Sequence, residues 1–271
     1  MIPKTIHYLW LSDEKPDNVI ACIDSWKQHL KDYEIIEWNK TNFPYNDFLW
    51  TQEAFAAKKW AFVTDFFRLW VLKKYGGIYL DADITVRNNF DNFLDHKLFI
   101  GTEWQVQLGP HVIGAEKGHR FIEKCLDYYD NRHFTTIENN DKTPIMPHIM
   151  TRILMCEYNY DGKFVDLGKI PMQIDDITIY DDTYFTANVY DGQNICYHNC
   201  FGSWRENPNS KTPLNKFIEH YFQLKFFTQD MYQKKGIAKY IIPFLPCFLI
   251  SIYFNWKMKI RNNKKVKLVK L

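Results

Sequence analysis

The sequence lacks the marks of several protein classes. Its six cysteines include no CxxC pair, so reduced thiols in a cytosolic protein are expected. Cys196 and Cys200 lie four positions apart, which leaves metal binding by that pair open as an alternative. The first residues, MIPKTIHYLW, lack the charged region, long apolar run and small-residue cleavage site of a signal peptide. No repeat or low-complexity linker divides residues 1 to about 230.

Acidic residues are missing from the last stretch, KMKIRNNKKVKLVKL (257–271), which carries seven Lys or Arg. Since the whole chain has a net charge of +2, residues 1–256 carry −5 and show no basic surface for nucleic acid. Residues 237–256 are almost all apolar, but Pro243 and Pro246 interrupt them. We expect 231–271 to be a membrane-associating segment that lies in the bilayer interface. A spanning helix and a core helix remain alternatives.

Strand and helix patterns alternate through residues 1–230, the other predicted domain. Apolar and β-branched runs at 4–11, 33–39, 77–83, 93–103 and 111–118 predict strands. Apolar residues at three- and four-residue steps predict helices over 16–30, 54–77 and 118–132. With 271 residues and 46% apolar composition, this alternation predicts an α/β fold with one sizeable core and a mostly parallel sheet.

Two aspartates follow a buried strand in the stretch GGIYLDADITV. Alternate strand residues share a face, so Asp81 and Asp83 are expected on one side, with Ala82 opposite. Two carboxylates so placed repel each other unless a cation neutralises them, and Mg²⁺ or Mn²⁺ suits such oxygen ligands. A strand-end turn with Asp as a cap is the alternative.

The preceding helix carries Asp65 and Arg68 on one face, with apolar residues nearly all round. Such a helix is buried, so the two charges lie in apolar surroundings. They either form a local ion pair or bind a polar ligand, a sugar hydroxyl for the Asp and a phosphate oxygen for the Arg.

Two further stretches are candidates for the same site. Trp10, near the end of the first predicted strand, could stack on a base or pack in the core. In CYHNCFGSW a short strand ends at His198 and leads to Ser203 and Trp204. This group either completes a metal or phosphate site or forms an ordinary loop.

Five blocks together resemble the DXD-motif glycosyltransferase family of bacterial capsular polysaccharide synthesis proteins and yeast initiating mannosyltransferases, which is distantly related to clostridial glucosylating toxins. The blocks are IPKTIHYLW, SWKQHLKDYEIIEWN, KKWAFVTDFFRLWVLKKYGGIYLDAD, IGAEKGH and HNCFGSW, within residues 2 to about 205. The resemblance implies a GT-A type fold, with a single Rossmann-like mixed sheet flanked by helices. It also implies a nucleotide-sugar donor, Mn²⁺ or Mg²⁺, and retention of anomeric configuration.

Carried over position by position, the resemblance assigns roles to the singled-out residues. Asp65 and Arg68 would bind the donor sugar and diphosphate and, with Asp83, would be catalytic. Asp83, Asp81 and His198 would hold the metal. The remaining donor-binding residues would be Trp10 on the base, Tyr79, Ser203 and Trp204. His111 stands about where relatives often carry an Asn, so its role is open.

The function expected is hexose transfer from a nucleotide-sugar, UDP-hexose by preference, to a sugar hydroxyl of a lipid-linked oligosaccharide in bacterial surface polysaccharide synthesis. The expected location is the inner face of the cell membrane, with no nucleic-acid partner. Two alternatives belong to other classes. One is a haloacid-dehalogenase-like phosphatase with Asp81 as nucleophile, which would need a later Lys and acidic pair such as Lys169 and Asp175-Asp176. The other is a non-catalytic nucleotide-sugar-binding adaptor.

Overall fold

A computed structural model describes residues 1–103, 107–134, 145–160, 171–189 and 194–201 of the chain. Fifteen α-helices and β-strands follow one another in these residues. They are β1 Thr5–Leu9, α1 Asp17–His29, β2 Glu34–Trp38, α2 Leu49–Ala56, α3 Trp60–Tyr75, β3 Gly77–Leu80, β4 Ile84–Val86, β5 Leu98–Glu103, β6 Gln107–Ala115, α4 Arg120–Asp127, α5 Met146–Glu157, β7 Met172–Ile174, β8 Ile177–Tyr180, α6 Asp182–Phe185 and β9 Cys196–His198.

Seven strands form one mixed sheet in the order β2-β1-β3-β6-β5-β8-β7. The pairs β1–β2, β1–β3 and β5–β8 are parallel, while β3–β6, β5–β6 and β7–β8 are antiparallel. The expected α/β fold, a mixed sheet flanked by helices, is therefore confirmed in the described residues. Five of the seven strands run in one direction, as a mostly parallel sheet predicts, whereas β6 and β7 run against them.

Helices cover both faces of this sheet. In β3, Tyr79 packs with residues of α2 to α5, whereas Ile78 and Leu80 pack with residues of α1, β4 and β9. Successive residues of a strand point to opposite faces, so β3 contributes to two cores. Burying β3 on both faces fixes the position of the residues that follow it.

Gly76 and Gly77 turn the chain from α3 directly into β3. Their φ angles are +70° and +97°, a region that favours glycine. A side chain at Gly77 would lie 2.7 Å from the carbonyl oxygen of Thr5, in the neighbouring strand. Helix α3 therefore runs back along β3, and its first turns lie at the edge of the sheet where β3 ends.

The single helix predicted over residues 54–77 is wrong in one respect. Helix α2 ends at Ala56 and α3 begins at Trp60. Lys58 between them has φ +57°, and the Lys59 N–H donates to the carbonyl of Ala54. No Gly or Pro marks this break in the sequence, so the apolar pattern conceals it.

The predicted membrane-associating segment, 231–271, lies outside the described residues, and so does the boundary at residue 230. Within the part of the chain that the structure describes, no helix is both long and apolar enough to cross a bilayer.

Candidate active site

The two aspartates lie in a turn rather than on a strand. Strand β3 ends at Leu80, and the Ile84 N–H donates to the Asp81 carbonyl over 3.1 Å. The prediction that strand pleating aligns the carboxylates is therefore wrong, and the turn alternative is correct for the backbone. The turn nevertheless brings both carboxylates to one place at the carboxyl edge of β3, where ligands bind in α/β sheets.

Strand β9 places His198 beside this turn. It pairs with β4 so that His198 lies opposite Ile84, and Nε2 of His198 is 3.1 Å from Oδ1 of Asp83. Although burial lowers the pKa of His198, contact with Asp83 raises it well above the usual value. Asp81, Asp83 and His198 each offer a ligand atom, and these atoms lie within 4.8 Å of one another.

Backbone and amide groups after β9 hold Asp83 in position. The N–H and Nδ2 of Asn199 both donate to the Asp83 carbonyl, over 3.1 and 2.9 Å, and the Phe201 N–H donates to Oδ2 over 3.1 Å. Burial raises the pKa of Asp83, but His198 and the Phe201 N–H outweigh this and lower it to about 2. Asp83 is therefore a carboxylate at any physiological pH.

Arg68 is a buried cation between two carboxylates. Its Nη2 lies 2.9 Å from Asp65 and 3.4 Å from Asp81, and its guanidinium lies 4.9 Å from the ring centre of Tyr79. The Tyr79 hydroxyl donates to Asp81. Asp65 also accepts a hydrogen bond from the backbone of Met146, where α5 begins. Burial raises the pKa of Asp65 to about 6, even though Arg68 opposes the shift.

Strand β6 supplies further groups to the site, and of these the sequence singled out only His111. Nη1 of Arg68 donates to the Pro110 carbonyl over 2.8 Å, and the Asp81 N–H donates to the His111 carbonyl over 2.9 Å. The His111 ring stacks on the His198 ring with 4.5 Å between centroids, and Thr186 hydrogen-bonds to His111. Burial and the neighbouring His198 hold the pKa of His111 well below its usual value. The sequence carries no signal for Thr186.

The remaining candidates from the sequence are Trp10, Ser203, Trp204 and the cysteine pair. Trp10 directly follows β1, packs against the same core as Ala82, and donates from Nε1 to the Glu14 carbonyl over 3.1 Å. Ser203 and Trp204 lie outside the described residues. The Cys196 thiol is buried and donates to the Phe185 carbonyl, while Cys200 is exposed. Among the described residues the potential metal ligands that converge are Asp81, Asp83 and His198, not this cysteine pair.

The residues fit a divalent cation of the Mn²⁺ or Mg²⁺ kind. Two carboxylates and one imidazole converge, and Asp83 is already ionised. Mn²⁺ accepts carboxylate with imidazole, whereas Mg²⁺ prefers oxygen ligands and keeps several waters. The cation would offset the repulsion between the two aspartates, which in its absence Arg68 and His198 balance.

The phosphatase alternative does not fit the topology. Asp175 and Asp176 form the turn that leads into β8. The first residue of β8 pairs with Leu98 of β5, and Leu98 pairs with Ala115 of β6. Ala115 also pairs with Gly77, the first residue of β3. Asp175 and Asp176 therefore lie at the end of the sheet where β3 begins, opposite Asp81. Asp176 there approaches His119, with 3.2 Å between Oδ1 and Nε2. Lys169 lies outside the described residues.

Comparison with known proteins gives the same interpretation. The family model described as "Glycosyltransferase sugar-binding region containing DXD motif" matches residues 16–100, which include Asp65, Arg68, Asp81 and Asp83. Inositol phosphoceramide mannosyltransferase 3 of Schizosaccharomyces pombe is 29% identical over 125 residues, which is 45% of this chain and 35% of that protein. Inositol phosphoceramide mannosyltransferase 2 of the same yeast is 25% identical over 215 residues, which is 73% of this chain and 59% of that protein.

The chain thus spans between about a third and three fifths of the length of these two relatives. A solved structure titled "PaToxG Glycosyltransferase" is 21% identical, with a TM-score of 0.46, and the match covers 58% of this chain and 70% of that one. The family model and the relatives confirm the resemblance found in the sequence, since residues 16–100 match the model of a glycosyltransferase sugar-binding region containing a DXD motif.

Proposed function

We propose that the chain is a metal-dependent glycosyltransferase that moves a hexose from a nucleotide-sugar to an acceptor hydroxyl. One observation carries this proposal. Two carboxylates and a histidine converge on one point, and the Arg68–Asp65 pair lies next to Asp81 at the same edge of the sheet. A diphosphate needs positive charge and a sugar needs hydrogen-bond acceptors, and this edge offers both.

The residues of the site would have different roles in this reaction. Asp83, Asp81 and His198 would hold the cation, which when bound acts as a Lewis acid that stabilises charge on the departing diphosphate. Arg68 keeps a positive charge near that group, and Tyr79 fixes the orientation of Asp81. Asp65 accepts hydrogen bonds from sugar hydroxyls in its carboxylate form. Each of these residues is held by partners within the chain, so little reorganisation is needed when the donor binds.

Retention of anomeric configuration is part of the proposal. The described carboxylates around the point of convergence already have partners: Asp65 pairs with Arg68, and Asp81 and Asp83 belong to the metal group. No described residue therefore stands out as an enzyme nucleophile. The acceptor hydroxyl would attack from the face that the diphosphate leaves, and the leaving phosphate would take its proton. The anomeric configuration of an isolated product, read by NMR, tests this step.

UDP-hexose is the first donor proposed, since Trp10 resembles the residue that stacks on uracil in the family and directly follows β1, beside β3. GDP-mannose is the second donor to test, because two relatives are named as mannosyltransferases. We expect Trp10→Ala to raise the donor KM about tenfold or more, since a base–aromatic stack contributes about 1–3 kcal/mol. Mn²⁺ affinity should not change in this variant.

We propose a lipid-linked acceptor, as in bacterial surface polysaccharide synthesis, because of residues 237–271. The apolar run of this segment, followed by seven basic residues, suits the inner face of a cytoplasmic membrane. The names of the yeast relatives also contain a lipid, inositol phosphoceramide. Deleting residues 237–271 should release the protein from vesicles that contain anionic lipid. Undiminished vesicle binding by the deletion variant would contradict this placement.

The enzymatic proposal is tested by incubating the protein with a panel of UDP- and GDP-sugars and Mn²⁺ and measuring release of the nucleoside diphosphate. One donor should be hydrolysed well above the others. Asp83→Ala should lose several orders of magnitude in turnover with the fold intact. A non-catalytic adaptor instead predicts no hydrolysis of any donor and unchanged function in Asp83→Ala.

A further inference from the structure

Strand β6 departs from regular pairing next to the site. Ile100 of β5 pairs with Ile113, but the next residue, Gly101, pairs with Gly109, so three residues of β6 have no partner on β5. These residues are Pro110, His111 and Val112, called the β6 bulge below. Proline is tolerated here because a bulge leaves backbone groups out of the ladder.

The β6 bulge directs two carbonyls into the site. The Pro110 carbonyl accepts from Arg68, and the His111 carbonyl accepts from the backbone of Asp81. A bulge re-aims the groups of a strand in this way and often lies next to a binding site. The third group that the bulge presents is the His111 side chain. The hydrogen bond of the His111 carbonyl involves the backbone alone, so it gives no reason for an imidazole ring at this position.

Thr186 contacts both the His111 ring and the backbone of His198. It lies just after α6, and its carbonyl accepts from the backbone N–H of His198 over 3.0 Å. Its hydroxyl donates to the Thr102 carbonyl over 2.8 Å and lies 2.9 Å from Nε2 of His111. Because the hydroxyl proton goes to Thr102, the oxygen must accept from His111, which places the His111 proton on Nε2. The His111 ring and the His198 backbone are thus held by one residue.

The stacked geometry leaves the His111 ring little freedom. Its plane is tilted 24° from that of His198, and it is 2% exposed. A side chain on Gly109 would come within 2.6 Å of Cε1 of His111, so Gly109 lies close against the edge of the ring between Nδ1 and Nε2. The rigid His111 ring packs against the face of the His198 imidazole and restricts rotation of the His198 side chain. The Nε2 atom of His198 then stays directed at Asp83.

We propose that His111 is a positioning residue for the metal site, held by Thr186 and stacked on His198 so that Nε2 of His198 faces the cation. The inference rests on the proposed metal-dependent function. His111 touches neither the cation nor the donor in this role. Its effect is on the affinity for metal, because groups that orient a ligand typically change metal affinity by about 10- to 100-fold.

The test measures Mn²⁺ binding directly, by electron paramagnetic resonance of free Mn²⁺ during titration of the full-length protein. His111→Ala removes the stacked ring, and Thr186→Val keeps the ring but removes its hydrogen-bond acceptor. His96→Gln is the matched control, since His96 is a half-buried histidine bonded to Tyr180 on β8. Melting temperature with and without Mn²⁺ is recorded for each variant, which separates loss of binding from loss of folding.

We expect the Mn²⁺ dissociation constant to rise about 10-fold or more in His111→Ala and about 3-fold in Thr186→Val, whereas His96→Gln matches the wild type. His111→Phe, which restores a flat ring, should recover part of the loss. Folded His111→Ala and Thr186→Val proteins with wild-type Mn²⁺ affinity would overturn the inference. If Asp83→Ala abolishes Mn²⁺ binding while those two variants bind normally, the positioning role of His111 is wrong but the proposed metal-dependent function stands. A wild-type protein that binds no Mn²⁺ overturns both.

Discussion

Nη2 of Arg68 lies 3.4 Å from Oδ1 of Asp81, so a buried cation of helix α3 faces the first carboxylate of the DxD turn. The same nitrogen lies 2.9 Å from Asp65. Arg68→Ala should therefore leave two carboxylates next to each other without their cation. We expect a loss of about 3–5 kcal/mol in the free energy of unfolding, measured in urea, because a buried pair loses one partner.

Arg132→Ala is the control for this change. Arg132 is exposed and lies over the ring of Tyr128, so its removal should cost less than about 1 kcal/mol. Equal unfolding free energies for the two variants would contradict the view that Arg68 balances the charge of the site.

Binding of a cation should displace a proton from His198. The pKa of His198 lies well above its usual value, so the ring is protonated at neutral pH before metal binds, and a ligating nitrogen must lose its proton. Calorimetry of Mn²⁺ binding in two buffers with different ionisation enthalpies should show about one proton released. The affinity should increase as pH rises. His198→Asn should bind more weakly and show no such release, and equal heats in both buffers for the wild type would exclude the histidine as a ligand.

Protonation of Asp65 should make donor turnover fall at acid pH. Its pKa of about 6 reflects burial, and the carboxylate form accepts hydrogen bonds from sugar hydroxyls more strongly than the neutral acid does. At saturating metal, kcat/KM should fall as pH drops below about 6, since this ratio reports the free enzyme. Residual activity of Asp65→Asn should be flat across that range. A fall at acid pH that persists in Asp65→Asn would belong to another group.

Gly77 should tolerate no side chain. Its φ of +97° is strained for any other residue, and a Cβ there would lie 2.7 Å from the Thr5 carbonyl oxygen. Gly77→Ala should lower the free energy of unfolding by at least about 2 kcal/mol. Gly118→Ala separates backbone strain from crowding, because Gly118 has φ +70° but a Cβ added to it would meet no atom within 4 Å. A similar cost in both variants would mean that crowding against β1 contributes nothing.

Some of this site follows from sequence and some does not. Asp65 and Arg68 are one helical turn apart within an apolar helix, so their ion pair could be predicted from spacing alone. From the residues alone the DxD motif and His198 are separate candidates, because the β4–β9 pairing that joins them spans more than 100 residues, and only the family resemblance places them in one metal site. The positions of His111 and Thr186 depend on the β6 bulge and the end of α6. Neither leaves a periodic pattern, so the roles of these residues appear only in the folded chain.

Mn²⁺-dependent hydrolysis of a nucleotide-sugar is the decisive test of a metal-dependent transferase. We expect the wild-type protein to release a nucleoside diphosphate from one donor, chelation to stop the reaction and added Mn²⁺ to restore it. We also expect Asp83→Ala, folded to the same melting temperature in the absence of metal, to lose several orders of magnitude in turnover. Turnover by Asp83→Ala close to the wild-type rate would show that Asp83 holds no catalytic metal.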